Sequence, residues 1–101
     1  YPVLVNNPAL LARILPSLKQ TAGAANVREI PLSTGAEDFA FYAQEVPGVF
    51  FYVGAVPVDV DPATAPANHS PQFFVDEGAM AVGTRALLQV SLDYLSGGTV
   101  Q

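Results

Sequence analysis

The sequence holds a single histidine, His69, in the stretch ANHSPQFFVDEG at residues 67–78, and no cysteine. Imidazole is the side chain best suited to hold a transition metal or to move a proton near neutral pH. With cysteine absent, thiolate nucleophiles, disulfides and sulfur ligands for zinc are all excluded. The carboxylates that could accompany His69 are Glu37, Asp38, Asp59, Asp61, Asp76 and Glu77. None stands at a spacing that makes a site with His69 by itself, such as an i, i+4 pair. Composition alone therefore favours a polar loop residue. Three features favour a ligand instead. The His69 loop follows a run that reads as a buried strand, and open α/β sheets place their ligand sites beyond the carboxyl ends of strands. Asn68, Ser70 and Pro71 can stiffen the turn, as a metal ligand requires. No other residue type in the chain suits a transition metal as well.

A second place for chemistry is STGAEDF at residues 33–39. Glycine at the entry to a helix leaves backbone N–H groups open to an anionic group, assisted by the helix dipole. The pattern is common and does not specify a ligand. Thr34 and Glu37 have the spacing of a capping box, so Glu37 reads as a cap and not as a base. Ser33 and Ser70 have no base beside them in the sequence, which leaves a serine-nucleophile reading weak. Asp76 and Glu77 read as favourable charges at a helix start, and Asp59 and Asp61 as solvated loop residues. The aromatic run Phe50, Phe51, Tyr52 reads as core.

These residues need elements to position them. Residues 1–5 form an apolar, β-prone run. Asn7-Pro8 supplies an N-cap followed by proline at the first helical position. Leu11, Ile14, Leu15 and Leu18 then follow the i, i+3, i+4, i+7 rule of a one-sided helix. Pro16 interrupts that helix and is expected to kink it or break its hydrogen bonding, and Gly23 ends it. Residues 27–32 read as a second strand, a second helix follows residue 33, and VFFYV at 49–53 reads as a strand buried on both faces. Residues 55–71 form a long loop with four prolines. Asp76 caps a last helix whose stripe of Met80, Leu87, Leu88, Tyr94 and Leu95 is expected to face a core, with Gly97-Gly98 as its stop. The alternation predicts an α/β fold with a small, mostly parallel sheet.

The chain is 101 residues long, with room for one small domain, and no repeat or low-complexity tract divides it. Half of its residues are hydrophobic and 13% are charged, which is apolar for so short a soluble chain and implies surfaces covered by another domain or another copy. The net charge of −5 and the scattered Arg13, Lys19, Arg28 and Arg85 argue against nucleic-acid binding. No apolar run approaches the roughly 20 residues that span a bilayer, and no leader of the signal-peptide type is present. The expectation is a soluble chain, cytoplasmic or periplasmic, with the compartment unknown. Its start, YPVLVNN, without an initiator methionine, suggests a piece of a longer protein.

Three segments, taken in order, resemble a known family. YPVLVNNPAL, GAEDFAFYAQEVPGVFFYVGA and NHSPQFFVDEGAMAVGTRALLQ are similar to the C-terminal part of the zinc-dependent metallopeptidases and amidohydrolases. That family includes aminoacylases, carboxypeptidase G-like enzymes, hippurate hydrolases and auxin-conjugate hydrolases. The Gly-x-Glu-Asp-Phe form is most like the hippurate and auxin-conjugate branch. The resemblance implies that His69, in the H-S/T-P-x-F loop, binds one of two metal ions, and that Thr34 and Gly35 contact substrate. Thr34 stands where many relatives have methionine. Residues 1–6 would be a remnant strand of an inserted lid or dimerisation domain, and residues 7–101 the C-terminal portion of a larger zinc-peptidase-like catalytic domain.

The implied activity is hydrolysis of the amide bond of N-acyl amino acids or related peptide-like substrates. The cofactor implied for the intact enzyme is a pair of zinc ions, with manganese or cobalt as alternatives. The catalytic glutamate and remaining ligands would lie in a missing N-terminal catalytic portion. This chain alone, with one histidine, is then expected to bind no metal and to be inactive, since a catalytic zinc needs three protein ligands. The competing reading is a free-standing interaction domain that binds a partner through its apolar surface, and the same surface admits a homo-oligomer.

Overall fold

The computed structural model describes residues 1–33 and 35–97. Three helices carry it: α1 at Pro8–Ala22, α2 at Phe39–Glu45 and α3 at Glu77–Leu95, with a 3₁₀ turn at Ala24–Asn26 after α1. Local chemistry accounts for the helix ends. Asn7 Oδ1 accepts from Leu10 N–H at 2.9 Å, and Pro8 occupies the first turn, where a missing N–H costs nothing. Gly23 ends α1 at φ 89°, a left-handed backbone that glycine adopts without a Cβ clash, and its N–H donates to the Lys19 carbonyl. Asp76 Oδ1 accepts from Gly78 N–H at 2.9 Å to open α3. At α2 the capping group is Glu37, whose Oε2 accepts from Phe39 N–H at 2.8 Å. Its expected capping-box partner, Thr34, lies outside the described residues, and so does Gly98.

α1 runs through Pro16 without ending. Proline has no N–H to give the Ala12 carbonyl, so one helical bond is lost there. Packing on both sides of Pro16 offsets that loss. Ile14, Ser17 and Leu18 are buried against α3, where Ala86 completes the centre of the core, and Leu10, Leu15, Val27, Val49, Phe51 and Val90 surround it. Ser17 is 1% exposed, and its Oγ donates to Asp93 Oδ2 at 2.6 Å. Gln89 Nε2 donates to the other Asp93 oxygen at 2.9 Å, so the buried carboxylate is satisfied on both oxygens.

The apolar stripe of α3 does not face this core. Met80, Leu87, Leu88, Tyr94 and Leu95 are all exposed, Leu95 at 82%. α3 meets α1 through Ala86, Val90 and Asp93, and through the Tyr94 ring, whose centroid lies 4.2 Å from the Arg13 guanidinium. A small side chain such as Ala86 at the contact lets the two helices approach closely, which leaves Met80, Leu87, Leu88 and Leu95 exposed.

The expected α/β fold with a small, mostly parallel sheet is corrected: among the described residues there is no strand. A strand exists only when a neighbour about 4.8 Å away supplies a ladder of backbone bonds. Residues 1–5, 27–32 and 49–53 form no such ladder with one another. Their branched and aromatic side chains express a preference for a half-buried pleated surface, which takes effect only where that surface exists. Where residues 6 and 7 do meet residues 48–50, one backbone bond joins them, from Asn7 N–H to the Gly48 carbonyl at 2.9 Å. The other two bonds come from the Asn6 side chain. The 49–53 run is also not buried on both faces, since Tyr52 and Val53 are exposed.

The molecule is a thin slab of 41 × 34 × 19 Å. Its accessible surface is 7761 Å², against about 5,500 Å² for a folded monomer of this mass. The excess is apolar to a large extent, with Val3, Leu32, Val58, Leu88, Leu92 and Leu95 among the exposed side chains. One two-helix core thus supports a chain that is mostly surface.

Candidate functional site

The site is built on the span between α2 and α3. Gly48 starts it, in close contact with α2: a Cβ there would lie 3.0 Å from two ring carbons of Phe39, so a larger residue would require that ring to shift. The Phe39 ring also meets Phe50 at 5.6 Å between centroids, and Phe50 meets Tyr52 edge-on at 5.3 Å. The chain then passes α3, where Val53 lies beside Gly83, and reaches Ala55. There the Ala55 carbonyl accepts from Asp76 N–H at 2.7 Å. That bond closes the base of the loop carrying His69, and Asp76 caps α3 with its side chain at the same time.

Within the loop, consecutive turns satisfy much of the backbone. Val60 N–H donates to the Pro57 carbonyl, and Thr64 and Ala65 N–H both donate to the Asp61 carbonyl. Asp61 Oδ1 accepts from Ala63 N–H at 2.9 Å, so this carboxylate shapes a turn and is more than a solvated charge. His69 sits in the turn closed by Ser70 N–H to the Ala67 carbonyl, at 2.9 Å. The next turn, Ser70 to Phe73, has Pro71 at the position whose fixed φ proline supplies. Ser70 Oγ donates to Gln72 Oε1 at 2.9 Å and accepts from Gln72 N–H at 3.2 Å. The turn on which His69 stands is therefore held by neighbours on both sides.

His69 itself is exposed, and its imidazole makes no hydrogen bond with any described residue. Among the described residues no three His, Asp or Glu side chains come together as a metal site. Gly35 is exposed, with its N–H donating to Ser33 Oγ at 3.4 Å and open space beyond. No hydrogen bond joins Gly35 to the His69 loop, and Thr34 lies outside the described residues. Ser33 and Ser70 hydrogen-bond to neither a histidine nor a carboxylate among the described residues, so neither is paired with the base a serine nucleophile requires.

Beside the loop base lie two adjoining open hollows of about 410 and 290 Å³, both lined by Val53, Gly83 and Leu87. Met80 and Val75 extend the first, and Val49 and Phe51 the second. No titratable side chain lines either one, so they offer apolar surface without chemistry.

Two features of the region were not legible as functional residues. Asp61 organises its turn through an ordinary Asx contact, which the Asp-Pro at residues 61–62 could have signalled. Asn6 braces Phe50 from 44 residues away, and no local pattern marks it.

An exposed loop histidine with no carboxylate companion among the described residues is not by itself a complete metal site. Comparison with known proteins supplies a family: the chain belongs to peptidase family M20/M25/M40, whose profile matches residues 1–93. A putative amidohydrolase of Bacillus subtilis is 35% identical over 94 residues, covering 93% of this chain and 23% of that protein. An IAA-amino acid hydrolase of Arabidopsis thaliana is 30% identical over 96 residues, covering 95% and 20%. A thermostable carboxypeptidase of Saccharolobus solfataricus is 33% identical over 86 residues, covering 85% and 21%. The chain thus spans about a fifth of the length of these relatives. No solved structure matches it. Among the described residues, no helix is long and apolar enough to cross a membrane.

Proposed function

We propose that this chain is the C-terminal portion of a metal-dependent amidohydrolase that cleaves the amide bond of N-acyl amino acids or related small amides. The observation that carries the reading is the family match over residues 1–93, together with His69 standing on a braced, solvent-facing turn. In this proposal residues 7–101 belong to the catalytic portion, and residues 1–6 are the end of an inserted lid or dimerisation domain. Thr34 and Gly35 line the substrate side. His69 ligates one metal ion of a zinc pair, manganese or cobalt being the alternatives.

The donors within this chain do not by themselves fit a catalytic metal. One exposed imidazole is offered where three protein ligands are needed, and no described carboxylate joins it. The remaining ligands and the proton-transferring group therefore belong to the rest of the enzyme. What this chain contributes is a lone pair on a fixed turn and an apolar surface. The surface excess, on the order of 2,000 Å², is the size of an extensive obligate interface. It supports the reading that a further portion of the same enzyme covers this slab.

The test uses the longer enzyme that contains these residues. Chelation should abolish hydrolysis of N-acyl amino acids, and zinc, manganese or cobalt should restore it. The 101-residue chain alone, given the same metals, should show no turnover. Hydrolysis indifferent to chelation would overturn the metal dependence, and turnover by the isolated chain would overturn the division of the site.

A further inference from the structure

Residues 48–54 deliver the backbone to the His69 loop. Among the described residues they hydrogen-bond only to Asn6 and Asn7. The Asn6 side chain does there what a peptide group of a neighbouring strand would do. Its Oδ1 accepts from Phe50 N–H at 2.8 Å, and its Nδ2 donates to the Phe50 carbonyl at 3.0 Å. Asn7 N–H adds the bond to the Gly48 carbonyl one step earlier. Past Phe50 the segment has only apolar contact, Phe51 against the core between α1 and α3 and Val53 beside Gly83 of α3, until Ala55 bonds to Asp76. The hydrogen bonds that register the segment are thus those of Asn6 and Asn7 before the loop base and of Asp76 at it, while Val49 and Phe51 pack on the core beside them.

We infer that Asn6 is a positioning residue for His69, acting through Phe50 and the base of the loop. The inference rests on the reading of His69 as a metal ligand. Its chemical basis is narrow. Only a carboxamide carries a donor and an acceptor in one planar fork, so aspartate at this position can keep the bond from Phe50 N–H but loses the donor to the carbonyl. Alanine loses both. Neither change touches His69, the loop turns or the core between α1 and α3.

The test compares Asn6→Ala and Asn6→Asp with Ser17→Ala in the longer enzyme. Ser17→Ala removes a hydrogen bond of the helix pair and serves as a purely structural reference. Both Asn6 variants should lower kcat per metal-loaded enzyme by about tenfold to a hundredfold, at temperatures well below unfolding, as expected when a reacting group is displaced by about 1 Å. KM should change much less. Amide hydrogen exchange across residues 55–75 should speed up in both. Ser17→Ala should lower the melting temperature while leaving kcat and loop exchange as they are. If the Asn6 variants behave as Ser17→Ala does, the positioning role is overturned. If Asn6→Ala does not fold, the near-isosteric Asn6→Asp carries the comparison. If the unmodified enzyme shows no metal-dependent hydrolysis, the functional reading falls, and loop exchange alone decides: faster exchange in the variants supports the brace, unchanged exchange overturns it.

Discussion

Between α1 and α3, side chains hold the structure: Ile14, Leu18 and Ala86 pack together, and Ser17, Asp93 and Gln89 close a buried polar contact. From residue 46 to 76, short backbone turns, the bonds from Asn6 and Asn7 and the packing of Val49 and Phe51 hold it, with most side chains exposed. The helix pair depends little on the rest, because each helix satisfies most of its own backbone, α1 losing one bond at Pro16, and each buries one face. The extended span cannot satisfy its backbone alone, so it depends on loans from Asn6, Asn7 and Asp76. The candidate ligand sits in the second region. Rigid support and chemistry are thus separated, with Asp76 belonging to both: its side chain opens α3 and its N–H closes the loop.

The comparison breaks most readily in the core. Leu18→Ala should cost about 3 kcal/mol, because the site is fully covered and a cavity remains. A urea titration followed by helical circular dichroism would read it. Asp93→Ala comes next, at about 2 kcal/mol, since Ser17 Oγ is left buried without its acceptor. Asn7→Ala should cost about 1 kcal/mol through loss of the α1 cap, read by the same titration. The smallest effect sharpens the contrast between chain and enzyme. Leu92→Lys, on the exposed side of α3, should change the stability of this chain by no more than about 0.5 kcal/mol. In the longer enzyme the same substitution should destabilise strongly, as a melting-temperature measurement on both proteins would show.

The helix boundaries were legible because their causes are local. Asn7-Pro8, Gly23 and Asp76 act within a turn of themselves, and each does what its chemistry dictates. The strands were not, because the cause of a strand lies in another segment. VFFYV at 49–53 has the composition of a buried strand, yet its polar partner here is the side chain of Asn6. The stripe on α3 failed for a related reason. Periodicity identifies an apolar face, but which face meets α1 was settled by the small residue Ala86 and the polar pair Ser17–Asp93. His69 stood out by residue type alone, and the turns beside it are held through Ser70, Pro71 and Gln72. Among the described residues no carboxylate joins His69 in a metal site.

The central claim is that His69 is a metal ligand, and the direct measurement is metal bound per chain in the longer enzyme before and after His69→Ala. The account predicts that the substitution lowers bound metal, or weakens its affinity by at least about tenfold to a hundredfold, with hydrolysis falling in step. Unchanged metal content and affinity, with near-normal rates, would contradict it.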